Sequence, residues 1–172
     1  AKTIQASMLP CIFPAFPNRH EFDIYASMTP AKEVGGDFYD FFLIDPDHFA
    51  MVIAYVSGKG IPAALFMVVS RTMIKNTALS GCSPAEILAS VNNQLYENNE
   101  ANMFVTVWIG ILTISTGNVV CSNAGHEFPA IRHNGSYELL KDKHGLVLGV
   151  MEDMQYSEYE IKLEPGDQIF VY

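Results

Sequence analysis

The sequence predicts an α+β fold in which β-sheets stack on one another and a pair of helices covers an outer face. Three observations carry this. Strand-like patterns come first, two helical segments follow, and a run of further strands completes the order. The most apolar runs, Phe49 to Val56 and Val107 to Ile114, have the length of buried strands. Turn signals then separate short apolar segments, as at Ser115-Thr116-Gly117-Asn118 and Asn134-Gly135.

Taken in order, Lys2 to Leu9 reads as the end of a helix that stops before Pro10. Phe22, Ile24, Ala26 and Met28 alternate with Asp23, Tyr25 and Ser27, which predicts a half-buried strand. Val34-Gly35-Gly36-Asp37 breaks the pattern. Phe38 to Ile44 is a strand, Asp45-Pro46-Asp47 a turn, and Phe49 to Val56 a central strand. Pro62 suits the first turn of a helix running to about Ala78. That helix is apolar almost all round, which predicts burial between layers. Ser83-Pro84-Ala85-Glu86 is a capping box, and Ile87, Leu88, Val91 and Leu95 form the apolar stripe of the helix it starts. Strands follow at Met103 to Ile114, Val119 to Asn123, Ala130 to His133, Ser136 to Leu140, Tyr159 to Leu163 and from Gln168 onward. Glu164-Pro165-Gly166-Asp167 is a turn.

A length of 172 residues suits one domain with its own core. Residues 1–9 read as the end of a linker helix and 10–172 as the domain, expected to be incomplete because the sequence stops within an apolar strand. Ten Lys and Arg against nineteen Asp and Glu give a net charge of −9, which argues against a nucleic-acid binder and is compatible with divalent cations or simply with solubility. No apolar run approaches the roughly 18 residues of a membrane span. Cys11, Cys82 and Cys121 are too few and too scattered for a disulfide framework or a zinc cluster, so a reducing cytoplasm is expected.

Three segments break strand patterns with glycine and polar residues. In Glu33-Val34-Gly35-Gly36-Asp37-Phe38-Tyr39-Asp40, the glycines let the backbone bend and bring a carboxylate close to a ligand. Asp37 and Asp40 are candidates for a hard cation, or else solvated turn acids. In Ser57-Gly58-Lys59-Gly60, the spacing fails that of a nucleotide-binding phosphate loop. Lys59 is an anion contact at a helix N-terminus or an exposed connector residue. In Asn123-Ala124-Gly125-His126, the histidine is a base, a ligand or a residue satisfied by backbone. No Ser/His/Asp arrangement is evident, so no residue is assigned as a catalytic nucleophile.

Together these segments resemble the SpoIIE-type branch of the PPM serine/threonine phosphatases. The resemblance rests on Pro30 to Asp40, Val56 to Met67, Met103-Phe104-Val105-Thr106, Asn123 to His126, Leu148-Gly149-Val150 and Leu163 to Asp167, in order. It implies a β-sandwich flanked by helices in αββα layers. It implies two Mn²⁺ or Mg²⁺ ions whose bridging water attacks a phosphoserine or phosphothreonine directly. It also implies phosphorylated STAS-domain (anti-anti-sigma) proteins as substrates in partner-switching signalling, and an upstream sensory domain.

By this resemblance Asp37 is the first metal ligand and the Val56 carbonyl another, while Lys59, Asn123 and His126 are possible phosphate or substrate contacts. The residue that bridges both metals should be an Asp, but position 55 is Tyr55. A phenol is bulky and ordinarily ionises only near pH 10. Further family ligands are expected beyond Tyr172. Two functions compete: a phosphatase, or a catalytically impaired relative that binds its partner without turnover. For this chain the expectation is weak metal binding, little turnover, and open sheet edges that invite a homodimer.

Overall fold

The computed structural model describes residues 5, 7–30, 34–97 and 99–172. Alternating apolar residues place β1 (Phe38–Leu43) and β2 (His48–Val56) as an antiparallel hairpin across the Asp45–Asp47 turn. Two helices follow, α1 (Gly60–Leu79) and α2 (Pro84–Glu97). The chain then returns to strands β3 (Val105–Thr113), β4 (Asn118–Ala124), β5 (Ala130–His133), β6 (Ser136–Leu139), β7 (Glu158–Lys162) and β8 (Gln168–Phe170). One antiparallel sheet has the order β1-β2-β3-β4-β7, and a smaller one the order β6-β5-β8.

The period of two on each strand separates two cores. On the outer face of the large sheet, Val52, Ala54, Val105, Val107 and Ile109 pack against Ala63, Met67, Ile74, Ile87, Leu88 and Val91 of the helices. On the inner face, Phe41, Phe49, Trp108, Val119, Cys121 and Ile161 pack against Ile131, Ile169 and Val171 from the smaller sheet's side. The segment from Phe13 to Ala26 closes this inner core with Phe13, Phe16, Phe22 and Ile24, and Phe22 stacks on Phe49 at 4.5 Å between centroids. The described residues thus form helices on sheet on sheet, with the helix pair on one outer face as expected.

Local chemistry fixes the connections. Ser83 and Glu86 form the anticipated box, with the Ser83 amide donating to Glu86 Oε2 at 2.8 Å. Asn134 and Gly135 both have positive φ, 50° and 89°, the requirement of a two-residue hairpin turn with the right twist. Gly110 lies under the indole: a Cβ there would sit 2.6 Å from Trp108 Cη2 and 3.1 Å from Val119 Cγ1.

Three expectations are corrected. Residues 22–28 alternate and bury their apolar side, yet they join no ladder; alternation reports a buried face, not a hydrogen-bonded partner. Helix α1 is not buried between layers: Ile61 and Leu65 are 64% and 63% exposed and Val69 lies beside them one turn on. Asp40 is not a ligand candidate, because it faces the helices rather than Asp37's side of β1, is 3% exposed, and pairs with Arg71 Nη2 at 2.9 Å. Burial raises the Asp40 carboxyl above its ordinary value despite the attraction of Arg71 and Lys75. Of the expected N-terminal helix, Gln5, Ser7 and Met8 are helical, and residues 2–4 and 6 lie outside the described residues.

This packing sets the cost of two substitutions. Gly110→Ala overpacks the indole and lowers stability by about 1–3 kcal/mol, read from urea unfolding of Trp108 fluorescence with an unchanged slope. Arg71→Met leaves Asp40 buried without its ion-pair partner and costs about 3–5 kcal/mol, whereas pairing it with Asp40→Leu recovers most of the loss.

Candidate active site

The large sheet's register builds the site. Phe38 pairs with Ala54 and Tyr55 with Thr106, so Asp37, Tyr55 and Thr106 fall in one row across three strands. All three side chains belong to the inner-face set, opposite to Phe38, Ala54, Val56 and Val105 of the outer core. On the next strand Val107 pairs with Ala124, which brings Gly125 and His126 to the end of the same row. These residues line a cleft of about 500 Å³ together with Met28, Tyr39, Glu127 and Tyr172.

Asp37 enters from a bend that only a small residue permits. A Cβ on Gly36 would lie 2.8 Å from Val56 Cβ and 3.0 Å from the Val56 carbonyl oxygen. The loop is held from the N-terminal side by Gln5, which is 6% exposed: its Oε1 accepts from the Gly35 amide at 3.1 Å and its Nε2 donates to the Gly35 carbonyl. Asp37 remains exposed at the lip of the cleft. Partial burial still holds its carboxyl above the ordinary value. Tyr55 is 45% exposed in the middle of the row.

His126 is buried and fully engaged. Its Nε2 lies 3.1 Å from the Tyr172 main-chain oxygen, which can only accept, so Nε2 carries the proton. Nδ1 then accepts from the Thr106 hydroxyl at 2.7 Å. Burial holds the ring below the ordinary histidine value, so it is neutral near pH 7. Asn123 is 2% exposed and its amide is spent within the fold, with Oδ1 accepting from the His126 amide at 2.8 Å and Nδ2 donating to the His126 carbonyl at 3.1 Å. Lys59 caps the start of α1, exposed and away from the residues that line the cleft. The structure therefore brings Asp37, Tyr55 and His126 together, sets Asn123 behind them, and leaves Lys59 apart. Thr106 and Glu127 join the cleft without having been assigned a role there, although Thr106 closes the Met103-Phe104-Val105-Thr106 motif.

Two divalent cations need several oxygen ligands. Among the described residues no group of three or more His, Cys, Asp or Glu is placed to hold a metal. Asp37 and Glu127 are the carboxylates on the cleft, and the position between Asp37 and Thr106 is a phenol. The described residues do not fit a two-ion centre.

Comparisons with known proteins agree with this geometry at the level of family. A family model described as Stage II sporulation protein E (SpoIIE) matches residues 45–172. Phosphoserine phosphatase RsbU of Bacillus subtilis is 33% identical over 159 residues, covering 91% of this chain and 47% of that protein. The chain spans less than half the length of this relative and of Protein IcfG of Synechocystis, of which it covers 31%. In fold, it superposes on the SiaA-PP2C domain of Pseudomonas aeruginosa with a TM-score of 0.79 at 20% identity, over 99% of this chain and 67% of that one. With family model, relative and fold in accord, the chain belongs to the SpoIIE family of PP2C-type phosphatase domains.

Proposed function

We propose that the ancestral activity of this domain is metal-dependent hydrolysis of phosphoserine or phosphothreonine on a STAS-type regulatory protein in partner switching, and that this chain holds such a partner with little turnover. The setting is cytoplasmic, with an upstream sensory domain in the whole protein. The supporting observation is Tyr55 in the centre of the row of Asp37, Thr106 and His126. The relatives named phosphoserine phosphatase, RsbU and RsbP, support the substrate class. A second reading, residual hydrolysis, draws on Asp37 and on the Val56 carbonyl, whose oxygen packs against Gly36, the residue before Asp37.

Electrostatics shapes how a partner is held. Among the described residues that line it, the cleft presents Asp37 and Glu127 and no Lys or Arg. A phosphate dianion gains nothing there without a metal. The exposed rings of Tyr55 and Tyr172 at the rim supply contact area instead. Phosphorylated and unphosphorylated forms of a STAS-domain partner should therefore bind this chain within about threefold of each other by calorimetry. A strong preference for the phosphorylated form contradicts the electrostatic account.

Tyr55→Asp adds a carboxylate beside Asp37. In the whole protein it should raise Mn²⁺ affinity at least about tenfold and introduce Mn²⁺-dependent release of phosphate from the partner. Activity of the whole protein with Tyr55 comparable to that of its Tyr55→Asp variant would remove the claim that this position is disabling.

The neutral His126 also predicts a pH effect. The unfolded chain takes up a proton at about pH 6.5, the folded chain only at lower pH. Its contribution to stability is fully present above about pH 6.5 and is lost as the pH falls through the folded value. Urea midpoints measured from pH 7.5 to 5.5, on the order of one pH unit either side of that value, should fall less steeply in His126→Gln. Identical slopes contradict a buried neutral ring.

A further inference from the structure

The geometry points to Asp142 as a positioning residue for the cleft: a buried carboxylate that fixes, through the Asn123 amide, the loop on which His126 enters the site. This rests on the reading of the cleft as the functional site, although Asp142 itself is not among the residues lining it.

The Asp142 side chain is only 1% exposed and lies in the connection between β6 and β7. Two donors converge on it. Asn123 Nδ2 is 3.0 Å from Oδ2 and 3.3 Å from Oδ1. His144 Nδ1 is 3.2 Å from Oδ1, and His144 stacks against Phe128. The Tyr159 hydroxyl lies nearby and accepts from Trp108 Nε1 at 2.8 Å. No Lys or Arg is paired with the carboxylate among the described ion pairs, so hydrogen bonds hold it in place of a cation.

A carboxylate acts here as an acceptor alone. It draws the NH₂ end of Asn123 toward itself, which turns Oδ1 to the His126 N–H and leaves Nδ2 within reach of the His126 carbonyl. One amide thereby grips both backbone polar groups of the residue whose ring bonds Thr106 and Tyr172. The Asn123 main-chain carbonyl is tied as well, to the Gly145 amide at 2.8 Å, which closes the 142–145 segment onto β4. An amide at position 142 sets an NH₂ group against one of the two donors and frees Asn123 to turn.

The test is the ring tautomer of His126, read by long-range ¹H–¹⁵N correlation spectra of histidine-labelled protein at neutral pH. The native chain should show a single Nε2–H tautomer. Asp142→Asn should replace it with averaged ring shifts while Trp108 emission stays native, and Asp142→Glu should restore the single tautomer. His144→Ala, which removes only the exposed donor, should leave it unchanged. A folded Asp142→Asn protein with the native His126 signature overturns the proposal. If Asp142→Asn does not fold, Asn123→Ala carries the same test, and a retained single tautomer there overturns it equally. Failure of the chain to bind any STAS-domain partner refutes the reading of the cleft and leaves this ring signature as it stands, so the two claims fail separately.

Discussion

Backbone pairing of β2 with β1 on one side and β3 on the other sets Tyr55 between Asp37 and Thr106, and everything at the cleft depends on that register. A slip of one residue would turn Asp37 toward the helices and Phe38 into the cleft, because side chains alternate between faces. The register is held by both cores at once. Val52, Ala54 and Val56 must meet the helices while Phe49 meets the phenylalanines of the inner layer. Chemistry at the sheet's end thus inherits its precision from packing along its length.

The inner face changes character along the same strands. Phe41, Phe49 and Trp108 make its middle apolar, while Asn123, Tyr159 and Asp142 add a buried polar cluster near the end that bears the cleft. Such a cluster stands only if its members are satisfied. Trp108 links the two regimes: its ring packs in the inner core and its N–H enters the polar cluster through Tyr159. The arrangement around His126 is therefore anchored in the core rather than in the loop that carries it.

Much of this was legible in the residues. The strand runs from Phe38 onward, the Ser83 capping box and the Asn134-Gly135 turn are local signals, and these elements formed close to their expected spans. Asp37 and His126 were legible because glycines and polar residues interrupt apolar strands there. Other features depend on contacts distant in sequence. Residues 22–28 show the alternation of a strand, but alternation does not say whether a neighbouring strand has an open edge. Asp40 sits three residues from Asp37 and so faces the opposite side of β1, where Arg71 of α1 meets it. Asp142 lies in a charged loop sequence that gives no sign of burial, and its partner Asn123 is 19 residues away. Tyr55 stood out only against a family pattern, since a tyrosine in a β-strand is otherwise ordinary.

The central claim is that position 55 decides whether this end of the sandwich holds a cation. Paramagnetic broadening tests it directly. With equimolar Mn²⁺, the His126 ring signals of the native chain should remain sharp, and those of Tyr55→Asp should broaden beyond detection. Equal broadening in both proteins would show that the tyrosine does not govern the site and would contradict the account.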